Sequence, residues 1–311
     1  MAQQVLRQPL AAETEINVAQ MRRDLAVRRV GKIGYVLNAL VAYFFLWAPI
    51  VVLVIFSFND SRSVSQWQGF TTEWYANIFA NVTGTSARGS TTSILDALGN
   101  SLLIGTIATL IATTLGTALS LALVRYRFPG KRVIDTLLYL PVVIPEIAQA
   151  ISLALFFKIV FDAVNFLRPD MPPVTYGYGT IIIGHVVFNV AFVVVVVRAR
   201  LADMNPRLEE AARDLGANEL RTFWRITLPL MLPGVIAGAL LAFTLSLDDY
   251  IVTAFNQGVG TATLTVVVFG MMRRGVSPEV NAISTLMIVF SILLIGISLL
   301  LQGRGAVTAR G

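Results

Sequence analysis

Five stretches of this chain, 35–58, 101–124, 177–197, 230–247 and 282–301, run for at least 18 residues without a single Asp, Glu, Lys or Arg. A helix crosses the hydrocarbon core of a bilayer with about 20 mostly apolar residues. No soluble fold needs five such runs. A sixth, 133–161, is interrupted by Pro141, Pro145 and Glu146 but is long enough to span, since membrane helices tolerate proline where neighbours re-satisfy the backbone. The expectation is therefore an all-α integral membrane protein with six transmembrane helices, the fifth drawn to about 255. A further apolar run, 264–272, is too short to cross and reads as an interfacial or re-entrant piece. Over the 311 residues only 14% are charged against 56% hydrophobic, and the mean hydropathy is +0.72. This excludes a disordered chain and an ordinary soluble enzyme.

The net charge of +6 is unevenly placed. The tail 1–34 holds six basic residues, 125–132 four, 198–228 six and the C-terminal tail two, against six in all the remaining sequence. By the positive-inside rule these four segments face the cytoplasm, both termini included. The first apolar run is too long for a signal peptide and lacks a small-residue cleavage site. The tail 1–34 is expected as a cytoplasmic basic segment, either mobile or lying on the membrane over 15–29. The membrane domain covers 35–302, and 303–311 forms a short cytoplasmic tail.

The chain has no cysteine and one histidine, His185. Disulfides, thiolate chemistry and two-His metal sites are excluded. No phosphate-binding G-x-x-x-x-G-K-[ST] sequence and no G-x-S-x-G occurs, so no catalytic residues and no metal site are assigned. His185 is expected as a hydrogen-bonded packing residue. Small residues at Ala108, Ala112, Gly116 and Ser120, and the Gly234/Gly238 pair, are expected to let helices pack closely. Trp67, Gly69, Phe70, Trp74 and Tyr75 lie in the outer loop, where aromatics anchor a protein at the interface.

The loop between the fourth and fifth spans is the most informative segment. Asn205-Pro206 reads as a helix start and Gly216 as a left-handed helix stop. Between them Leu208, Ala211, Ala212 and Leu215 form one apolar stripe, and Glu209 is spaced to pair with Arg213. Glu210 and Asp214 repel at the same spacing, as expected of a helix that presents acid to a basic partner. Glu210-Ala211-Ala212, three residues, Gly216, nine residues and Ile226-Thr227-Leu228-Pro229 resemble the EAA loop of ABC-transporter permease subunits. Arg125–Lys131 (Arg-Tyr-Arg-Phe-Pro-Gly-Lys), Pro145-Glu146-Ile147, Phe243–Tyr250 and Gly275–Ala282 resemble the permeases of spermidine/putrescine importers, in particular the C-type subunit, over roughly 35–302.

The resemblance implies a type I ABC importer permease fold whose loop 198–228 carries a coupling helix. Glu209, Glu210, Ala211, Ala212, Gly216, Leu228 and Pro229 would then serve ATPase coupling. It also implies two copies of an ATP-binding subunit, which use ATP and Mg while this chain binds no cofactor. The other implied partners are a second homologous permease, as a heterodimer, and a periplasmic or lipid-anchored binding protein. The cargo is expected to be a small cation, with no nucleic acid involved, and the place of action the bacterial inner membrane. Within the spans, Glu146, Asp248 and Asp249 are the candidate path carboxylates, because a charge in the bilayer normally faces a cavity or a partner. Glu146 is expected about 13 residues, or roughly 20 Å, into the third span. Two alternatives are a permease for another small organic solute and a stand-alone secondary transporter. The latter calls for charged relays and inverted repeats that this sequence lacks.

Overall fold

The computed structural model describes residues 18–61, 66–80, 91–274 and 278–307. Expectations for the first 17 residues, the outer loop over 81–90, the motif residues Gly275-Val276-Ser277 and the last four residues lie outside these. The chain divides into two compact units, Met1–Ile55 and Phe56–Gly311. In the first, residues 18–34 are helical and run straight into the first apolar stretch as one element, α1 (Val18–Phe56), with Pro49 inside it. The boundary expected at 34 is a change of composition along one helix.

The second unit contains α2 (Glu73–Ala80), α3 (Thr91–Arg125), α4 (Lys131–Val143), α5 (Glu146–Leu167), α6 (Tyr178–Ala202), α7 (Arg207–Asp214), α8 (Glu219–Thr222), α9 (Leu228–Asp248), α10 (Ile251–Asn256), α11 (Leu264–Arg274) and α12 (Pro278–Val307). Five helices among the described residues are long and apolar enough to cross a membrane: Val30–Phe56, Ile94–Arg125, Glu146–Leu167, Tyr178–Ala202 and Glu219–Asp248. The sixth expected span falls on α12, whose described apolar part is Pro278–Leu294.

α3, α6 and α9 form the centre, and small residues let them approach. Ala108, Ala112 and Ser120 of α3 are fully buried. A Cβ on Gly116 would lie 2.7 Å from Val193 Cγ1, and one on Gly234 would lie 2.6 Å from Arg200 Cβ. Val193 of α6 thus fits between Gly116 of α3 and Gly238 of α9. The two small-residue faces read from sequence both receive α6, within this one chain. α11 packs Leu264, Val268 and Met271 against Ile94 of α3 and Ile283 of α12. It is part of the bundle's apolar core rather than an isolated interfacial helix. In the outer loop Phe58 stacks on Phe70 and lies beside Tyr75, while Trp74 Nε1 donates to the Asn59 carbonyl at 2.9 Å. These aromatics also build the loop's own small core.

Three boundaries differ from the sequence expectation. The third span is two helices, because Pro145 forces Ile144 into an extended conformation (φ −72°, ψ 136°). α4 has 13 residues, too few to cross. The carbonyls freed at the break are taken by Gln149, whose Nε2 donates to Pro141 at 2.8 Å and to Ile144 at 2.9 Å. The expected 198–228 loop is shorter, since α6 continues to Ala202 and a continuous helix starts at Glu219. That helix carries a π turn over Phe223–Thr227, where the Leu228 N–H bonds the Phe223 carbonyl. The wider turn precedes Pro229, which has no N–H to donate. Finally, the fifth span stops at Asp248, and 251–256 form the separate helix α10.

Candidate functional site

Two groups of residues bear on function, one at each end of α9. At its start stands the motif helix α7. Asn205 Oδ1 accepts from the Arg207 N–H at 3.0 Å and opens the helix two residues before its first helical residue Arg207, with Pro206 at the cap position rather than inside the helix. Its end is a Schellman motif: Ala217 N–H reaches the Ala212 carbonyl at 3.0 Å and Gly216 N–H the Arg213 carbonyl at 2.9 Å. Gly216 has φ +83°, a conformation glycine adopts without cost.

The face of α7 that turns inward is not the apolar stripe. Leu208 is 47% exposed and Leu215 is 89% exposed, Ala211 is exposed too, and only Ala212 of the four is buried. Glu209 is buried at 7%. Its Oε1 accepts from Arg125 Nη2 at 3.0 Å and from Thr227 Oγ1 at 3.0 Å. The expected Glu209–Arg213 pair is therefore replaced by a longer-range one. One carboxylate joins α7, the end of α3 and the π turn before α9. The surface left open around α7 is apolar, with Leu220 and Trp224 exposed beside Leu208 and Leu215, and Glu210 exposed among them. Leu228 and Pro229 sit at the start of α9, inside the helix rather than in a loop.

At the other end of α9 the two consecutive aspartates part company. Asp249 is extended (φ −63°, ψ 125°) and caps α10, accepting from the backbone N–H of Thr253 at 2.8 Å and of Val252 at 3.2 Å. Thr253 Oγ1 also donates to Asp249 Oδ1 at 2.8 Å. His185 Nε2 lies 3.1 Å from that oxygen and 3.0 Å from Thr253 Oγ1. Since Thr253 gives its hydroxyl proton to Asp249, Nε2 is the donor to both. His185 Nδ1 is buried and has no protein partner. Glu146 is half-buried in the first turn of α5, not deep within a continuous span. Its carboxyl faces Asp249 and lies within electrostatic range of His185. Below this group Asn189 Nδ2 donates to Ser246 Oγ at 2.8 Å. Asp248 turns away from all of these and lines a cavity between α2, α3, α9, α11 and α12.

The structure thus brings Glu146 and Asp249 together and separates Asp248 from them. His185 is hydrogen-bonded, as expected of a packing residue, but its partner is a candidate path carboxylate. Thr253 was not legible as a site residue. Thr227 and Arg125 stood in segments that carry the family resemblance, with no role assigned to either. Two carboxyls meeting in a low-dielectric site repel when both are ionised, so a cation placed between them is stabilised. Among the described residues no group of three or more His, Cys, Asp or Glu is arranged to hold a metal.

The family model for the binding-protein-dependent transport system inner membrane component matches residues 112–304. The chain is 39% identical over 250 residues to the putrescine transport system permease protein PotI of Escherichia coli K12, covering 80% of this chain and 83% of that protein. It is 37% identical over 264 residues to the spermidine/putrescine transport system permease protein PotC of Haemophilus influenzae, covering 85% and 94%. A bacterial ABC transporter involved in the import of the acidic polysaccharide alginate has a chain that superposes with a TM-score of 0.67 at 17% identity, over 92% of this chain and 98% of that one. That likeness concerns the fold. The fold and the motif together define the membrane subunit of an ABC importer. This chain belongs to the family of inner-membrane components of binding-protein-dependent transport systems, and it is a multi-pass membrane protein.

Proposed function

We propose that this chain is the permease subunit of an ATP-driven importer of polyamines of the putrescine and spermidine type. The observation that carries the reading is the similarity to putrescine and spermidine/putrescine permeases over 80–85% of the chain. The Glu146–Asp249 pair supports it, because an acidic site among membrane-spanning helices suits a cationic cargo. The chain performs no catalysis and holds no cofactor of its own. Two copies of a separate ATPase supply ATP and Mg chemistry, and a second homologous permease completes the pathway. A periplasmic or lipid-anchored binding protein delivers the cargo. Both termini and the 203–218 segment face the cytoplasm of a bacterial cell.

ATPase closure would push on the exposed apolar surface of α7 around Glu210, Ala211 and Leu215. Glu209 would pass that displacement to α3 through Arg125 and to α9 through Thr227. This is alternating access by rigid-body movement of packed helices. The acids that meet the cargo are Glu146 and Asp249. Calorimetry of the cognate binding protein on a panel of amines, sugars and organic anions tests the cargo. Micromolar binding of putrescine or spermidine is expected, and preference for a sugar or an anion overturns the polyamine reading. In proteoliposomes, Glu146→Gln combined with Asp249→Asn is expected to lower amine uptake at least about ten-fold, the loss of one charge-assisted contact. Unchanged uptake would remove both acids from the path.

A further inference from the structure

Among the described residues, α4 is the only helix of the second unit with no buried residue. Both of its ends are breaks in the helical path. Gly130 before it is left-handed, with φ +83°, and Ile144 after it is extended ahead of Pro145. Gln149 of α5 bridges the second break by holding the Pro141 and Ile144 carbonyls. Between the two breaks α4 packs on α6, and among the described residues one polar contact ties it there. Arg198 Nη1 of α6 donates to Asp135 Oδ1 of α4, forming an ion pair.

That pair ends a continuous series of contacts. Arg198 and Arg200 are two residues apart on α6, so their side chains leave it about 200° apart. Arg200 Nε donates to the Leu230 carbonyl near the start of α9 at 3.1 Å, and Gly234 of α9 receives the Arg200 stem. The end of α6 thus grips α9 on one side and α4 on the other. The π turn before α9 is joined to α7 through Thr227 and Glu209. At its own far end α4 meets the break that immediately precedes Glu146. A displacement of α9 therefore has a bonded route to the first turn of α5. The Arg198 and Asp135 side chains are 28% and 36% exposed. An ion pair this open biases an equilibrium by up to about five-fold, enough to favour one position of α4 and too little to fix it.

We infer that Arg198 and Asp135 are positioning residues of the transport cycle. Their ion pair holds α4 along α6 in one half of the cycle. In the other half it opens, α4 swings as a rigid body about Ile144–Pro145, and the first turn of α5 is repositioned with Glu146 on it. Neither residue meets the cargo. The inference rests on the reading of this chain as a permease.

The test uses the full chain assembled with its partner permease and ATPase in nanodiscs, with the cognate binding protein saturated with putrescine. The chain has no cysteine, so Asp135→Cys combined with Arg198→Cys supplies its only two thiols, and a bifunctional methanethiosulfonate reagent bridges them. Bridging is expected to lower ATP hydrolysis stimulated by the binding protein at least about ten-fold. Reduction should restore it, and each single cysteine variant treated alike should keep it. A contact that only supports the fold is unharmed by a bridge that holds it in place. Unchanged stimulation in the bridged protein, or a loss that reduction does not reverse, therefore overturns the inference. A second measurement leaves the bridge out. Asp135→Asn frees α4 and should raise hydrolysis without binding protein by up to about five-fold, whereas Arg198→Lys, which keeps the charge pair, should not. Equal rates for the two variants also overturn it. If the parent complex itself is not stimulated by the binding protein, the permease reading fails and the inference with it. If the parent is stimulated and the bridged protein is stimulated equally, the inference alone fails.

Discussion

Two acids stand in succession twice, Glu209-Glu210 in α7 and Asp248-Asp249 at the end of α9, and each pair splits in the same way. Glu209 turns in and is held by Arg125 and Thr227, while Glu210 turns out. Asp249 turns in and is held by Thr253, Val252 and His185, while Asp248 turns out. Glu209 and Glu210 are consecutive helical residues, which point about 100° apart, whereas Asp248 ends α9 and Asp249 is extended, so the chain leaves the helix between them. The inward acid of each pair builds the protein, and the outward one is free to meet something else. The pairs differ in what the inward acid meets. Glu209 has a full cationic partner within 3.0 Å. Asp249 has hydrogen-bond donors and a second carboxyl, Glu146, facing it.

The sharpest way to break this comparison is to remove the cation beside Glu209. Arg125→Ala leaves a buried carboxylate unpaired and is expected to lower stability by about 3 kcal/mol, read by thermal unfolding of the detergent-solubilised permease. A loss well under 1 kcal/mol would show that the bracket is not structural. Asp249→Ala is expected to cost about 1–2 kcal/mol through the α10 cap. Its measurable sign is weakened amide-exchange protection over 251–256, with α7 unaffected. Gly216→Val keeps free space around the new side chain but forces a left-handed backbone. It should cost about 1–2 kcal/mol and reduce ATPase association, measured by co-purification. The smallest effect on stability is expected for Glu210→Gln, within about 0.5 kcal/mol, yet it should uncouple ATP hydrolysis from uptake. If Glu210→Gln destabilises as much as Arg125→Ala, the inward and outward assignments are reversed.

Much of the fold could be read in advance. The uncharged runs located four of the five long apolar helices, although Ile94–Arg125 and Glu219–Asp248 start well before their runs, because a charge-free stretch records the thickness of the hydrocarbon core. The third span was misread, since proline breaks are tolerated or not according to whether a neighbour such as Gln149 reaches the freed carbonyls. The apolar stripe of α7 was legible as a periodicity, and the structure leaves most of it exposed. In a soluble helix such a stripe would turn inward, whereas here Glu209 has a cation waiting inside and the stripe is left open to a partner. The site was legible only in its acids. His185, Thr253, Arg125 and Thr227 lie 64, 4, 84 and 18 residues from the carboxylates they bond, and only the Thr253 spacing leaves a local trace.

The sequence alone determined that the chain enters a membrane, where its long apolar runs lie, and that a helix stop lies at Gly216. Those properties depend on hydrophobicity and local backbone preference, which act over a turn or two. Which acid of each pair faces inward was decided by tertiary structure. It depends on partners far along the chain, Arg125 and Thr227 for Glu209 and His185 for Asp249, which no local preference supplies.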